Sequence, residues 1–167
     1  FFTLECRKFM TDTVISTQLD NYQMNLYSEF DTQIQENWQQ LFGRLNNVSF
    51  LNHPLWYQSY LNSFGQNSNS PAKFIEIIKD DKVVALLPFI QNAKELELMW
   101  PTDMGVRDIT IDFNEVSAKD LLQIIIKGLN KIGLSWKKMV LHDIVENSCS
   151  KQFLQEFIAR DKRLGTD

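Results

Sequence analysis

The sequence predicts an α/β (α+β) domain, with a mixed, mostly antiparallel sheet flanked by helices. Three observations carry this. Apolar residues recur at helical spacing in four stretches, near 28–45, 54–64, 117–132 and 148–160. Strand-like runs crowd into one central block between Lys73 and Phe113. The elements follow one another as strand, helix, helix, three or four strands, helix, strand, helix.

The first strand is read over 20–27, "DNYQMNLY", with Tyr22, Met24 and Leu26 on one face. Ser28 and Asp31 then resemble a capping box opening a helix whose stripe is Phe30, Ile34, Trp38, Leu41, Phe42 and Leu45. A second helix starts near His53-Pro54, since proline's missing N–H has no partner in a first turn anyway. Trp56, Tyr60 and Phe64 form its stripe, and Gly65 closes it. The Asn- and Ser-rich "GQNSNSP" is a loop. "KFIEII" and "VVALLPF" flank Asp80-Asp81 as a hairpin, and Pro88, unable to donate to a ladder, should end or bend its strand at an edge or bulge. "ELELM" is a third strand and "WPTDMG" a turn. "DITIDF", 108–113, alternates strictly, with Ile109, Ile111 and Phe113 opposite Asp108, Thr110 and Asp112. Ser117 and Asp120 begin a helix with Leu121, Leu122, Ile125, Leu129 and Ile132 inward, closed by Gly133. "KMVLHDI" is a strand, and the last helix turns Phe153, Leu154, Phe157 and Ile158 inward.

The 167 residues are 44% hydrophobic, with 12 Phe and 4 Trp, enough for a real core. The net charge of -4 gives no electrostatic case for nucleic acid or an anionic membrane. The longest apolar run, 83–90, is far too short for a membrane span. Cys6 and Cys149 read as free thiols of a reducing cytosol, with pairing as the alternative. Residues 1–9 precede an ordinary-looking start at Met10 and read as non-native coding sequence or as part of a fragment. The expected organisation is an N-terminal extension over 1–19, one domain over 20–160 and a tail or linker over 161–167.

The element order resembles the first part of the GNAT acyltransferase fold, over roughly 20–160. The segments "ENWQQLF", "SFLNHPLWYQSYLNSFG", "DDKVVALLPF", "RDITIDF" and "SWKKMVLHDI" resemble the first half of acetyltransferases associated with bacterial cellulose and exopolysaccharide biosynthesis. Those are tandem GNAT repeats, similar in plan to the Fem peptidyltransferases. Leu86-Leu87-Pro88 looks like that subgroup's "lLPl" element. The resemblance implies a sheet lacking its last strands and acetyl-CoA or another acyl-CoA bound by a second half. It implies acyl transfer to an amine or hydroxyl of a glycan or cell-envelope precursor, in the cytoplasm. A catalytic GNAT domain holds the CoA pyrophosphate on a Gln/Arg-x-x-Gly-x-Gly/Ala loop. The equivalent stretch here, Asn114-Glu115-Val116-Ser117, has neither glycine nor base. No cofactor is therefore expected in this chain, and it should be inactive alone. The expected partners are a second GNAT-like domain or another chain on the open sheet edge, and a small-molecule or glycan acceptor.

The candidate substrate-binding residues are Trp100, Asp103, Arg107, Asp108, Asp112 and His142. Trp100, Asp103 and Arg107 occupy a turn that can stack a sugar or peptide side chain; a plain structural turn is the alternative. Asp108, Thr110 and Asp112 make a polar row that faces either a substrate or solvent. At i, i+4 on a strand the two carboxylates sit roughly 13 Å apart, too far for a glycosidase pair. His142 can act as a general base or be a satisfied structural histidine, and His53 can cap a helix or line a cleft. Cys149, near a helix N-terminus where a thiolate is favoured, pairs with His142 in a weaker cysteine-hydrolase alternative. The cysteines and histidines lack metal-ligand spacing, so no metal is expected. A non-catalytic interaction domain is the other alternative.

Overall fold

A computed structural model describes residues 14–46, 48–63, 70–99, 108–141 and 143–158. It has the expected class: four helices around a seven-stranded, mostly antiparallel, open sheet. The strands are β1 (Val14–Leu19), β2 (Tyr22–Tyr27), β3 (Ala72–Lys79), β4 (Lys82–Asn92), β5 (Glu95–Leu98), β6 (Thr110–Ile111) and β7 (Lys138–Val140). The helices are α1 (Thr32–Arg44), α2 (Pro54–Ser63), α3 (Ala118–Lys131) and α4 (Cys149–Ile158). The sheet order is β1-β2-β3-β4-β5-β7, with β6 also pairing β4. Only β5 and β7 run parallel.

The sheet begins earlier than expected. Val14–Leu19 pairs in full register with β2, so residues placed in an N-terminal extension are a sheet strand. Asp20, with φ 55, makes the tight turn between them. Asp80 and Asp81 both take positive φ, 48 and 61, which gives the expected two-residue hairpin a twist that suits its strands. Short acidic side chains tolerate that conformation better than most.

Pro88 does not end its strand. β4 runs on to Asn92, and Pro88 is buried inside it. Its carbonyl accepts from Met99 N at 2.9 Å, so the backbone polar side of residue 88 faces β5 and β6. On that side β6 pairs up to Leu86 and β5 begins at Phe89. The missing donor falls in the gap between the two partners, so no ladder bond is lost. The register shift in the β3–β4 hairpin lies elsewhere, leaving Val84 as the extra residue on β4.

The two sheet faces are covered differently. α1 and α2 bring Ile34, Trp38, Leu41 and Tyr57 onto Tyr27, Phe74, Val83 and Leu86. Trp38 sits at the centre, its ring 4.4 Å from that of Tyr57. On the other face α3 and α4 bring Leu121, Ile125, Leu129 and Phe153 onto an aliphatic layer with Leu26, Ile75, Ile77 and Leu87. α3 comes close because residue 128 is glycine: a Cβ there would lie 2.4 Å from Met24 Sδ and 3.2 Å from Leu19 Cδ1.

The helix signals hold with two corrections. Ser117 Oγ accepts from Asp120 N at 3.1 Å, and Gly133 closes α3 at φ 74, as expected. α1 starts a turn later than expected, because Asp31 is itself the cap and accepts from Ile34 N at 3.0 Å. On α2 the fully buried aromatic is Tyr57, while Trp56 and Tyr60 are half-buried. Phe64 and Gly65 lie outside the described residues.

Candidate functional site

The site is built where the sheet parts. β6 pairs β4 and β7 pairs β5, and no pairing joins β6 to β7. After Ile111 the chain leaves the sheet: Asp112 Oδ1 accepts from Asn114 N at 3.2 Å, and Asp112 O accepts from Glu115 N and Val116 N. This local turn leads into α3. The start of α4 packs against β6. Between these elements and the end of α1 lies a cleft of about 830 Å³ whose lining includes Arg44, Asp112, Asn114, Ser148, Cys149 and Gln152.

Asp108 fixes one wall of this region. It is only 4% exposed. Its Oδ1 accepts from Ser150 Oγ at 2.7 Å, Ser150 N at 2.8 Å and Ile109 N at 2.9 Å. Its Oδ2 accepts from Asn52 Nδ2 at 3.0 Å. A carboxylate from just ahead of β6 thus caps the first turn of α4, where negative charge suits the helix dipole. The Tyr57 hydroxyl reaches Asp108 O at 3.4 Å, tying α2 to the same point.

The polar row expected over 108–112 is therefore not a solvated face, and it is not one functional surface either. Thr110 is fully buried and accepts from Trp38 Nε1 at 3.2 Å. Asp108 is used up internally. Asp112, 7% exposed, lines the cleft, and no described residue bonds its Oδ2. The strand itself shrinks to Thr110–Ile111, because both aspartates draw nearby backbone N–H groups to their side chains instead of leaving the chain extended.

Trp100, Asp103, Arg107 and His142 lie outside the described residues. Of the strand read over 138–144, Lys138–Val140 forms β7 and Ile144 an isolated bridge, and Asp143 between them takes φ 55. His53 does cap: its Nδ1 accepts from Leu55 N at 3.3 Å, and its ring meets Phe42 edge-on at 4.9 Å.

Cys149 departs from the expectation of a favoured thiolate. Burial, and then the Asp108 charge, push its thiol up to about 11, against a smaller opposing effect of the Ile111 backbone. Its Sγ lies 3.8 Å from Ile111 O. The amides that would stabilise a thiolate at this helix start are already taken, Ser150 N by Asp108 and Lys151 N by Ser148 Oγ at 3.1 Å. The start of α3 is likewise closed by its own Ser117, and Glu115 lies 3.9 Å from Lys82 Nζ.

Sequence reasoning missed Arg44, Asn52, Ser148 and Ser150. Ser148 carried a usable signal, a serine directly ahead of an apolar helical stripe. The Arg44 guanidinium donates to Val83 O and brings positive charge to the cleft, and Lys151 pairs with Glu146 at 3.1 Å. Two carboxylates, two cations, a hydroxyl and side-chain amides give the cleft the chemistry to hold a small polar ligand with hydroxyl or amine groups. Among the described residues no group of three His, Cys, Asp or Glu side chains is placed to hold a metal, and no helix is long and apolar enough to cross a membrane. Comparison of the chain with protein-family models, curated proteins and solved structures found no match.

Proposed function

We propose that this domain is the acceptor-binding half of a cytoplasmic GNAT-type acyltransferase. In this reading a second GNAT-like domain supplies acyl-CoA, and the acyl group passes to an amine or hydroxyl of a glycan or cell-envelope precursor held here. The observation that supports the reading is the position of the cleft. It opens beyond the carboxyl end of β6, against the turn into α3, where the sheet stops pairing. Open sheets with helices on both faces favour ligands at such places. Asp112 is then the group that receives an acceptor N–H or O–H, and the capped start of α3 leaves the cofactor to the other half.

Thermal unfolding tests this. A ligand that binds the native state raises the midpoint in a dose-dependent way. Glucosamine at millimolar concentration should raise it, the effect should vanish in Asp112→Asn, and acetyl-CoA should leave it unchanged. A rise with acetyl-CoA would overturn the division of labour. No rise with glucosamine or with glucose would remove the acceptor site. A plain interaction domain is the second reading. It is favoured by β1, a strand of six uncharged residues that ends the described sheet order and pairs regularly with β2.

A further inference from the structure

Four charged side chains among the described residues line the cleft beside β6, and they are not equivalent. Lys151 and Glu146 pair with each other at 3.1 Å. Arg44 and Asp112 form no ion pair, either with each other or with any other charge among the described residues. Asp112 is only 7% exposed, and its Oδ2 has no donor among those residues. The one partnerless side-chain atom sealed from solvent among them is Trp136 Nε1, so Asp112 Oδ2 is open to the cleft. Arg44 is exposed but anchored: one guanidinium N–H donates to Val83 O, which leaves the others to meet a ligand. Both groups are tied to the same point of the sheet. Asp112 N donates to Val84 O at 2.9 Å, next along β4 from the carbonyl that holds Arg44. Consecutive residues lie about 3.8 Å apart along a chain, so the cation and the anion border one ligand-sized space. The register shift of the β3–β4 hairpin falls at the same place, and such bulges re-aim side chains beside binding sites.

A buried carboxylate without a counter-charge favours a ligand that brings one. A neutral sugar would leave both Asp112 and Arg44 without a counter-charge, and a simple amine would serve Asp112 alone. We propose that the ligand of this cleft is a small zwitterion, with a primary ammonium group seated on Asp112 and a carboxylate or phosphate of the same molecule on the Arg44 fork. This rests on the reading of the cleft as an acceptor site and narrows its substrate class. The acceptor is an amine that also carries an anion, either an amino acid or a phosphorylated amino sugar. The planar guanidinium fork suits both kinds of anion, and the bonds it makes to them are charge-assisted.

Calorimetric titration with matched probes tests this. Glucosamine carries only the cation, glucose-6-phosphate only the anion, and glucosamine-6-phosphate both; γ-aminobutyrate is the amino-acid counterpart. Glucosamine-6-phosphate should bind about fivefold tighter than either singly charged sugar, a gain limited by the exposure of Arg44. Arg44→Gln should remove its advantage over glucosamine. Asp112→Asn, which keeps an oxygen for Asn114 N, should remove its advantage over glucose-6-phosphate. If γ-aminobutyrate binds and the sugars do not, the zwitterion site stands as an amino-acid site and the glycan acceptor fails. If glucosamine-6-phosphate binds no tighter than glucosamine, while glucosamine still binds through Asp112, the zwitterion is overturned and the acceptor reading stands. Glucose-6-phosphate binding as tightly as glucosamine-6-phosphate overturns the role of Asp112. Silence from all four probes up to about 10 mM overturns the zwitterion and the acceptor site together.

Discussion

Glu76 and Asp108 are both buried carboxylates with no cation bonded to them among the described residues, yet they are held in opposite ways. Glu76, fully buried on β3, accepts from Asn25 Nδ2 at 2.7 Å, Tyr27 Oη at 3.1 Å and Asn37 Nδ2 at 2.7 Å. Every donor is a side chain that can turn. Asp108 accepts from two backbone N–H groups, which cannot turn, as well as from Ser150 Oγ and Asn52. The first cluster joins β2 and β3 to α1 across the face that α1 covers. The second pins α4 and the Phe50–Asn52 turn to the sheet beside the cleft. An adjustable cluster can absorb a change of acceptor, whereas a fixed one is left with an unsatisfied buried amide at Ser150.

The sharpest test of that difference is Asp108→Ala. It strands Ser150 N, leaves Ile109 N only its bond to Ser150 Oγ at 3.1 Å, and should cost about 3 kcal/mol, measured as a fall in the urea midpoint. Ser150→Ala leaves both backbone bonds to Asp108 and removes the hydroxyl with its two bonds, one donated to Asp108 Oδ1 and one accepted from Ile109 N, so it should cost about 1–2 kcal/mol. Glu76→Gln should cost about 1 kcal/mol, because Asn37 is near the surface and can present its oxygen to the new amide. If Glu76→Gln proves as damaging as Asp108→Ala, the distinction between turning and fixed donors fails.

The smallest effect is on pH dependence. Cys149 is neutral in the fold up to about pH 11, against 9.0 for the ordinary thiol. Its contribution to stability is therefore fully present below pH 9 and is lost as the pH rises from there through about 11. In a Cys6→Ser background, iodoacetamide at pH 8 should label native Cys149 about a hundredfold more slowly than it labels the same residue in urea. Equal rates would show that α4 does not hold the thiol out of water.

The sequence was legible wherever a local signal fixed the outcome. Ser117, Asp120 and Gly133 bounded α3, and Asp80-Asp81 placed the central hairpin. It misled where the signal was local but the energy was not. "VISTQL" is too polar to announce a strand, and β1 exists because β2 offers it an edge. "DITIDF" alternates like a strand, but its two aspartates spend their oxygens on nearby backbone amides and cut β6 to two residues. α2 carries apolar groups around most of its surface, so periodicity alone could not choose Tyr57 over Trp56. The site was least legible of all. Ser150 and Asn52 meet Asp108 from 42 and 56 positions away, a distance no spacing rule reaches.

Pro88 has a consequence for how this protein can vary. A strand that paired β4 without a break would have to meet a position with no N–H, so β5 and β6 are kept from fusing into one. The pairing of Leu98 with Phe89 and that of Thr110 with Leu86 are thereby set separately, each by its own few bonds to β4. One imino acid in the middle of the sheet divides a single long strand's worth of pairing into two short decisions.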